Sequence, residues 1–369
     1  MMKTTYYYLC IWAAVPALLA GCSNYEITDE SPDAAPAVNF GVYTGIPTRG
    51  AETTISTVQS TGFGVFGYYT GQSTWAANTA PNFMYNQKVT YASSAWSYTP
   101  QKYWPGAAGD KITFFGYAPH STTANSGIVP STAAYSGNPY LDFTLQASPA
   151  NSVDLVTATA ANQTKTATVG FTFSHVLSRA KFFAKASESL ATGSHVFVKT
   201  VKILGSASNS TSKFYTKARY TFNTNVWDYT TANITIPTTN YDLANILNTT
   251  AKTGMGGYTT PSVDVTGTTA VSLFKSTDYL FFIPVANTTG TAANDVKVEI
   301  AYDIVTVDSQ LSAGHTVASN TVQVALPAGT LKKGTAYNFN FTVSMTKVSV
   351  TATSVNGWGT VAESEVTVP

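Results

Sequence analysis

Short apolar segments with a two-residue period recur along the chain, and they constrain its fold more than any other feature. Val38, Phe40, Val42, Thr44 and Ile46 interleave with Asn39, Gly41, Tyr43 and Gly45 before Pro47. A period of two places one set of side chains on one face of an extended strand, and proline ends it because it has no N–H to give a ladder. Comparable segments follow at 61–69, 111–118, 153–158, 166–173, 179–186 and 196–204, and again at 213–221, 279–285, 296–307, 321–325, 337–343 and 347–355. Segments 179–186 and 196–204 read as a pair. Helical patterning is limited to one or two turns at 242–247 and a turn at 175–178. Many short strands with turn residues between them predict an all-β fold of sandwich type. A chain of 369 residues is long enough for two such domains. The pattern breaks at 188–194, which predicts an N-terminal sandwich over 38–190 and a C-terminal one over 191–369. No internal repeat of roughly 20–50 residues is visible, which argues against a solenoid or propeller.

The first residues carry a different signal. Met1-Met2-Lys3 is a short positive region, an apolar run follows, and Leu19-Ala20-Gly21-Cys22 closes it. That is the layout of a secretory signal, residues 1–21, in its bacterial lipoprotein form, with Cys22 acylated as the first mature residue. About 15 apolar residues are too few to span a bilayer as a helix. Residues 22–37 are acidic, contain proline and lack an apolar period, as expected of a tether. The only other cysteine, Cys10, lies within the signal, so the mature chain is left with no disulfide and no thiol nucleophile or thiolate ligand. The net charge of +1 gives no electrostatic reason to expect nucleic acid.

Chemistry-bearing motifs are absent. His120, His175, His195 and His315 show no metal-ligand spacing, and there is no HExxH, GxSxG, GxGxxG or P-loop. The glycine cluster Gly254-Met255-Gly256-Gly257 is followed by no helix that could hold a phosphate. These observations predict no catalytic residue, no metal and no cofactor. Trp75, Trp96, Tyr98, Tyr103 and Trp104 cluster in sequence and have two readings: a surface that stacks on sugars, or part of the N-terminal core.

Pro47-Thr48-Arg49-Gly50 follows the first strand directly. An Arg–Gly bond in a polar segment suits a trypsin-like protease, with Arg49 as the cleavage residue and Gly50 as the new terminus. Cutting there would remove the anchor, the tether and strand 38–46. Burial of Val38, Phe40, Val42 and Ile46 is worth up to about 6–12 kcal/mol, so a vacated groove strongly favours entry of another strand. If a neighbouring subunit supplies that strand head to tail, the contact does not close and a filament grows. The tail 360–369 is a candidate donor, with Ala362, Ser364, Val366 and Val368 on one side and Asn356-Gly357-Trp358-Gly359 as a hinge. An ordinary last strand within its own domain is the other reading of that tail.

Taken in order, several segments resemble the fimbrillin family of Bacteroidetes, the Mfa-like or type V pilins. They are Leu19–Cys22, Thr48-Arg49-Gly50, Lys111–Pro119, Asp154-Leu155-Val156-Thr157-Ala158, Val169–Ser178, Phe282-Ile283-Pro284, Leu331–Tyr337 and Val355–Trp358. The resemblance implies two tandem transthyretin-like β-sandwich domains after a lipoprotein signal peptide. It implies Cys22 as the lipidated residue, display at the outer membrane and processing at Arg49 by an arginine-specific protease. Polymerisation with other copies or related pilin subunits then follows, in a surface fimbria that supports adhesion to a host or bacterial receptor. Processing after a full first strand points to a stalk subunit rather than an anchor. The competing expectation is an anchored surface lipoprotein, a tip adhesin or stand-alone binder of host or glycan ligands through the Trp75–Trp104 region.

Overall fold

The computed structural model describes residues 35–44, 53–121, 127–276, 278–285, 295–344, 347–355 and 358. Cys22, Arg49, Gly50, the signal at 1–21, most of the tether at 22–37 and the tail at 360–369 lie outside these described residues. Within them the chain is all-β, with four sheets and one short α-helix. No helix among them is long and apolar enough to cross a membrane.

The first sheet has seven strands. From one edge inward they are β1 (Phe40–Thr44), β9 (Val169–His175), β8 (Val156–Gln163), β5 (Ile112–Ala118), β2 (Phe63–Tyr69), β3 (Met84–Ala92) and β4 (Ala95–Ser97). Both faces of its centre are buried. Phe63, Val65, Ile112 and Phe114 face one apolar cluster, while Phe66, Tyr68, Phe115 and Tyr117 face another. That is why β2 and β5 read as nearly continuous apolar runs. Gly64 makes room for this packing, since a Cβ there would come within 2.3 Å of the Tyr117 ring.

The first cluster is closed partly by the helix α1 (Ile55–Thr61), which the sequence pattern does not reveal. Its residues have weak helix propensity, and three devices form it. Thr54 and Thr57 make a reciprocal capping box at its start. Val58 is fully buried beneath it. Gly62 ends it at φ 74°, donating to Val58 O at 2.8 Å.

The second cluster joins the first sheet to the rest of the body. A second sheet consists of β13 (Val226–Asp228), β12 (Lys217–Thr221), β7 (Tyr140–Thr144) and β6 (Ile128–Pro130). The third has β10 (Ser178–Ala186) at its centre. On one edge of β10 lie β16 (Val271–Ser272) and β17 (Leu280–Phe282), and on the other β20 (Ala336–Val343) followed by β21 (Val348–Val355). The fourth runs β14 (Tyr241–Asp242), β11 (Ser194–Ile203), β18 (Lys297–Val307), β19 (His315–Ala325), with β15 (Val263–Asp264) also on β11.

The strand pattern is corrected at one pairing. The expected pairing of 179–186 with 196–204 does not occur: β10 pairs with β20 in parallel, and β11 with β18. The connection between β10 and β11 crosses from one sheet to another, which local patterning cannot signal. The chain also leaves the first sheet at His175 and enters the third at Ser178, so β10 serves a sheet otherwise built from residues beyond 270. One continuous cluster of buried side chains runs from Phe66 to Trp358.

Candidate functional site

The site is the seat of β1. This strand lies at the edge of the first sheet and pairs in parallel with β9, from Phe40 opposite Val169 to Thr44 opposite Phe173. Its inward face is held by side chains from distant parts of the chain. Val38 is fully buried and Phe40 is 5% exposed. The Phe40 ring stacks on Phe171 with centroids 5.5 Å apart and meets Phe114 and Phe63 edge-on at 5.5 and 6.1 Å. Tyr98 closes the ring of neighbours at 5.6 Å. Burying Val38 and Phe40 contributes about 3–6 kcal/mol, and each well-placed aromatic pair adds about 0.5–1.5 kcal/mol. Ile46, also expected to contribute, lies outside the described residues.

The residues just before β1 are gripped from the other side. Val38 donates its N–H to Lys102 O at 2.9 Å, and Trp104 donates to Pro36 O at 3.0 Å. Val38 O accepts from the Tyr98 hydroxyl at 2.8 Å and from Gln101 Nε2 at 3.0 Å. Burial pushes the Tyr98 hydroxyl up to about 12, so it remains a donor at neutral pH. Asn39 O in turn accepts from Val169 N at 2.8 Å. Residues 36–44 are therefore seated between the 101–104 segment and β9, and Val38, Phe40 and Val42 fill a slot lined by Phe63, Tyr98, Trp104, Phe114 and Phe171.

Residues 45–52 join β1 to Thr53, where the chain is pinned again. Thr53 N donates to Asp154 Oδ2 at 2.9 Å and its hydroxyl to Asp154 O at 2.6 Å. The Asp154 carboxylate is fully buried, and His175 Nδ1 lies 2.8 Å from Oδ2 without the alignment of a hydrogen bond. The far face of His175 stacks on Trp358 at 4.4 Å. Trp358 is itself 3% exposed, so the residue expected within a hinge is packed against the body. The strand before it, β21, pairs antiparallel with β20.

The other candidates resolve simply. Tyr98 and Trp104 are buried, Trp75 packs edge-on against Tyr68 and Phe115, and Trp96 packs against Phe63; only Tyr103 stands well exposed. The aromatic cluster is thus mostly core. The four histidines have separate surroundings: His120 beside Tyr117, His175 beside Trp358, His195 beside Phe197, and His315 against Gly256 O. Among the described residues no group of His, Cys, Asp and Glu could hold a metal ion. The Thr53–Asp154 clamp and the grip on Val38 were not found from sequence. Both link residues 60 or more apart in the chain, and no spacing rule joins them.

The fimbrillin-like family profile matches residues 48–358, a range that leaves out β1 and the tail. The fimbrium subunit Fim1C of Phocaeicola vulgatus is 35% identical over 370 residues, covering 95% of this chain and 96% of that one. The crystal structure of a fimbrial protein from Bacteroides vulgatus superposes with a TM-score of 0.77 at 34% identity, covering 87% of this chain and 99% of that one.

Proposed function

The chain belongs to the fimbrillin-like family, and from that premise we propose that it is a stalk subunit whose first strand is a removable plug. Membership makes it a structural, non-enzymatic subunit of a cell-surface fimbria that assembles with other pilin subunits. The finer reading is ours. The precursor is exported as a lipoprotein, acylated at Cys22 and held at the outer membrane. An arginine-specific protease cuts after Arg49, leaving Gly50 first. The segment carrying β1 then leaves, and the tail 360–369 of a neighbour takes its place beside β9. We read the body as two transthyretin-like sandwich domains, 38–190 and 191–369, locked together because the first supplies β10 to a sheet of the second.

One observation carries this reading. β1 is an edge strand that fills an aromatic slot, yet its only forward link to the body is through 45–52, which contains Arg49. The remaining two arginines support a selective cut, since Arg179 lies within β10 and is 4% exposed, while Arg219 lies within β12 and makes two bonds to Asp142. The Thr53–Asp154 clamp would hold the new terminus in place after cleavage. The anchored-binder reading draws no support from the aromatic cluster, because Tyr98 and Trp104 are spent on the slot itself. N-terminal sequencing of surface-extracted protein tests the proposal. A sequence starting at Gly50 supports it; a mature pool starting at acylated Cys22 refutes it.

A further inference from the structure

A basic cleft lies beside the root of the tail, on the face of the third sheet that points away from the core. Along β10, Ala180, Phe182 and Ala184 face the core, so Arg179 and Lys181 share the opposite face. Together with Tyr279, Asn338 and Val355 they line a cleft of about 220 Å³. Both cations lie over one ring: the Arg179 guanidinium is 4.3 Å from the Tyr279 centroid and Lys181 Nζ is 5.0 Å from it. The aromatic face thus concentrates positive charge at one place. Asp278 is the acidic group whose field reaches Lys181. Trp358, from which the tail departs, lies 5.3 Å from the Arg179 guanidinium.

The tail 359–369 carries two charged side chains, Glu363 and Glu365, and both are acidic. On an extended chain, residues two apart share a face and stand about 7 Å apart, and Arg179 and Lys181 have the same spacing on β10. Glu363 lies five residues beyond Trp358, a reach of up to about 17 Å. A tether that short gives the tail an effective concentration in the millimolar range at its own cleft.

We propose that this cleft receives the acidic tail of the same chain, with Glu363 and Glu365 set against Arg179 and Lys181. The docking stands on charge, spacing and reach. Its consequence, that a parked tail is withheld from a neighbour until assembly, rests on the strand-exchange reading above.

Hydrogen exchange of the 359–369 amides in the full-length monomer tests the docking without any polymerisation readout. Relative to the wild type, the Glu363→Gln/Glu365→Gln variant exchanges about tenfold faster, as expected for loss of two modest ion pairs. Lys181→Gln has a smaller effect in the same direction. Lys181→Glu loosens the tail further, and adding Glu365→Lys restores protection. Arg179 is left intact because it is buried and its loss could disturb the sheet. Equal exchange in the wild type and the double glutamine variant, or failure of the charge swap to restore protection, overturns the proposal. Failure of strand exchange would leave the exchange pattern unchanged, so the two claims stand or fall separately.

Discussion

Phe40 and Thr53 lie on either side of Arg49, and the proposed cut gives them opposite fates. Phe40 fills the slot as part of the segment proposed to leave. Its replacement by alanine removes a buried ring and its partners, a loss of about 3–5 kcal/mol. Denaturant unfolding of the full-length chain should register that loss, whereas protein already cut after Arg49 and separated from β1 should be indifferent to it. Thr53 holds the part that, on this proposal, stays. Thr53→Val deletes the hydroxyl bond to Asp154 O while sparing the backbone one. It should cost about 1 kcal/mol, equally before and after cutting. The alternation that places Val38 and Phe40 on one face was legible in the sequence. The residues that receive them, Tyr98, Trp104 and Phe171, were not, since the 98–104 segment and the distant β9 supply them and only the folded sheet brings them together.

Elements show the same division between local and distant causes. Strands β5, β9, β18 and β20 could be read directly, as each carries a strong apolar face. The strand β3 could not, because only Met84 and Val89 of its nine residues are buried. Nor could α1, whose formation depends on its caps and the burial of Val58 rather than on propensity. Removal of β1 should be felt mainly at its one ladder partner. The Val169 amide, which donates to Asn39 O, should lose its protection against exchange after cleavage, while amides of β5 keep theirs. A separate prediction concerns the fourth sheet. Burial pushes the Asp303 carboxyl up, but bonds from Lys199, Ser319 and Tyr258 prevail and hold it below the usual carboxylate range. A group depressed in the folded state stabilises above its unfolded value, and that contribution is lost as pH falls through the folded one. Protection of β18 and β19 should therefore decline below about pH 4, and Asp303→Asn should flatten that decline.

At the scale of the whole molecule, the proposed exchange makes the fold self-sufficient in the precursor and dependent on a partner once the first strand is lost. A head-to-tail contact of this kind does not close on itself, which suits a filament. The sequence pattern alone conveyed the all-β architecture. It did not convey that β10 crosses into the third sheet, since parallel pairing with β20 depends on residues more than 150 positions away. The central claim is tested most directly by cutting the full-length monomer after Arg49 and measuring its mass in solution, with and without an excess of a peptide spanning residues 35–46. The account predicts growth into high-mass filaments on cutting and suppression of that growth by the peptide. Cut protein that releases β1 yet stays monomeric without the peptide would contradict it.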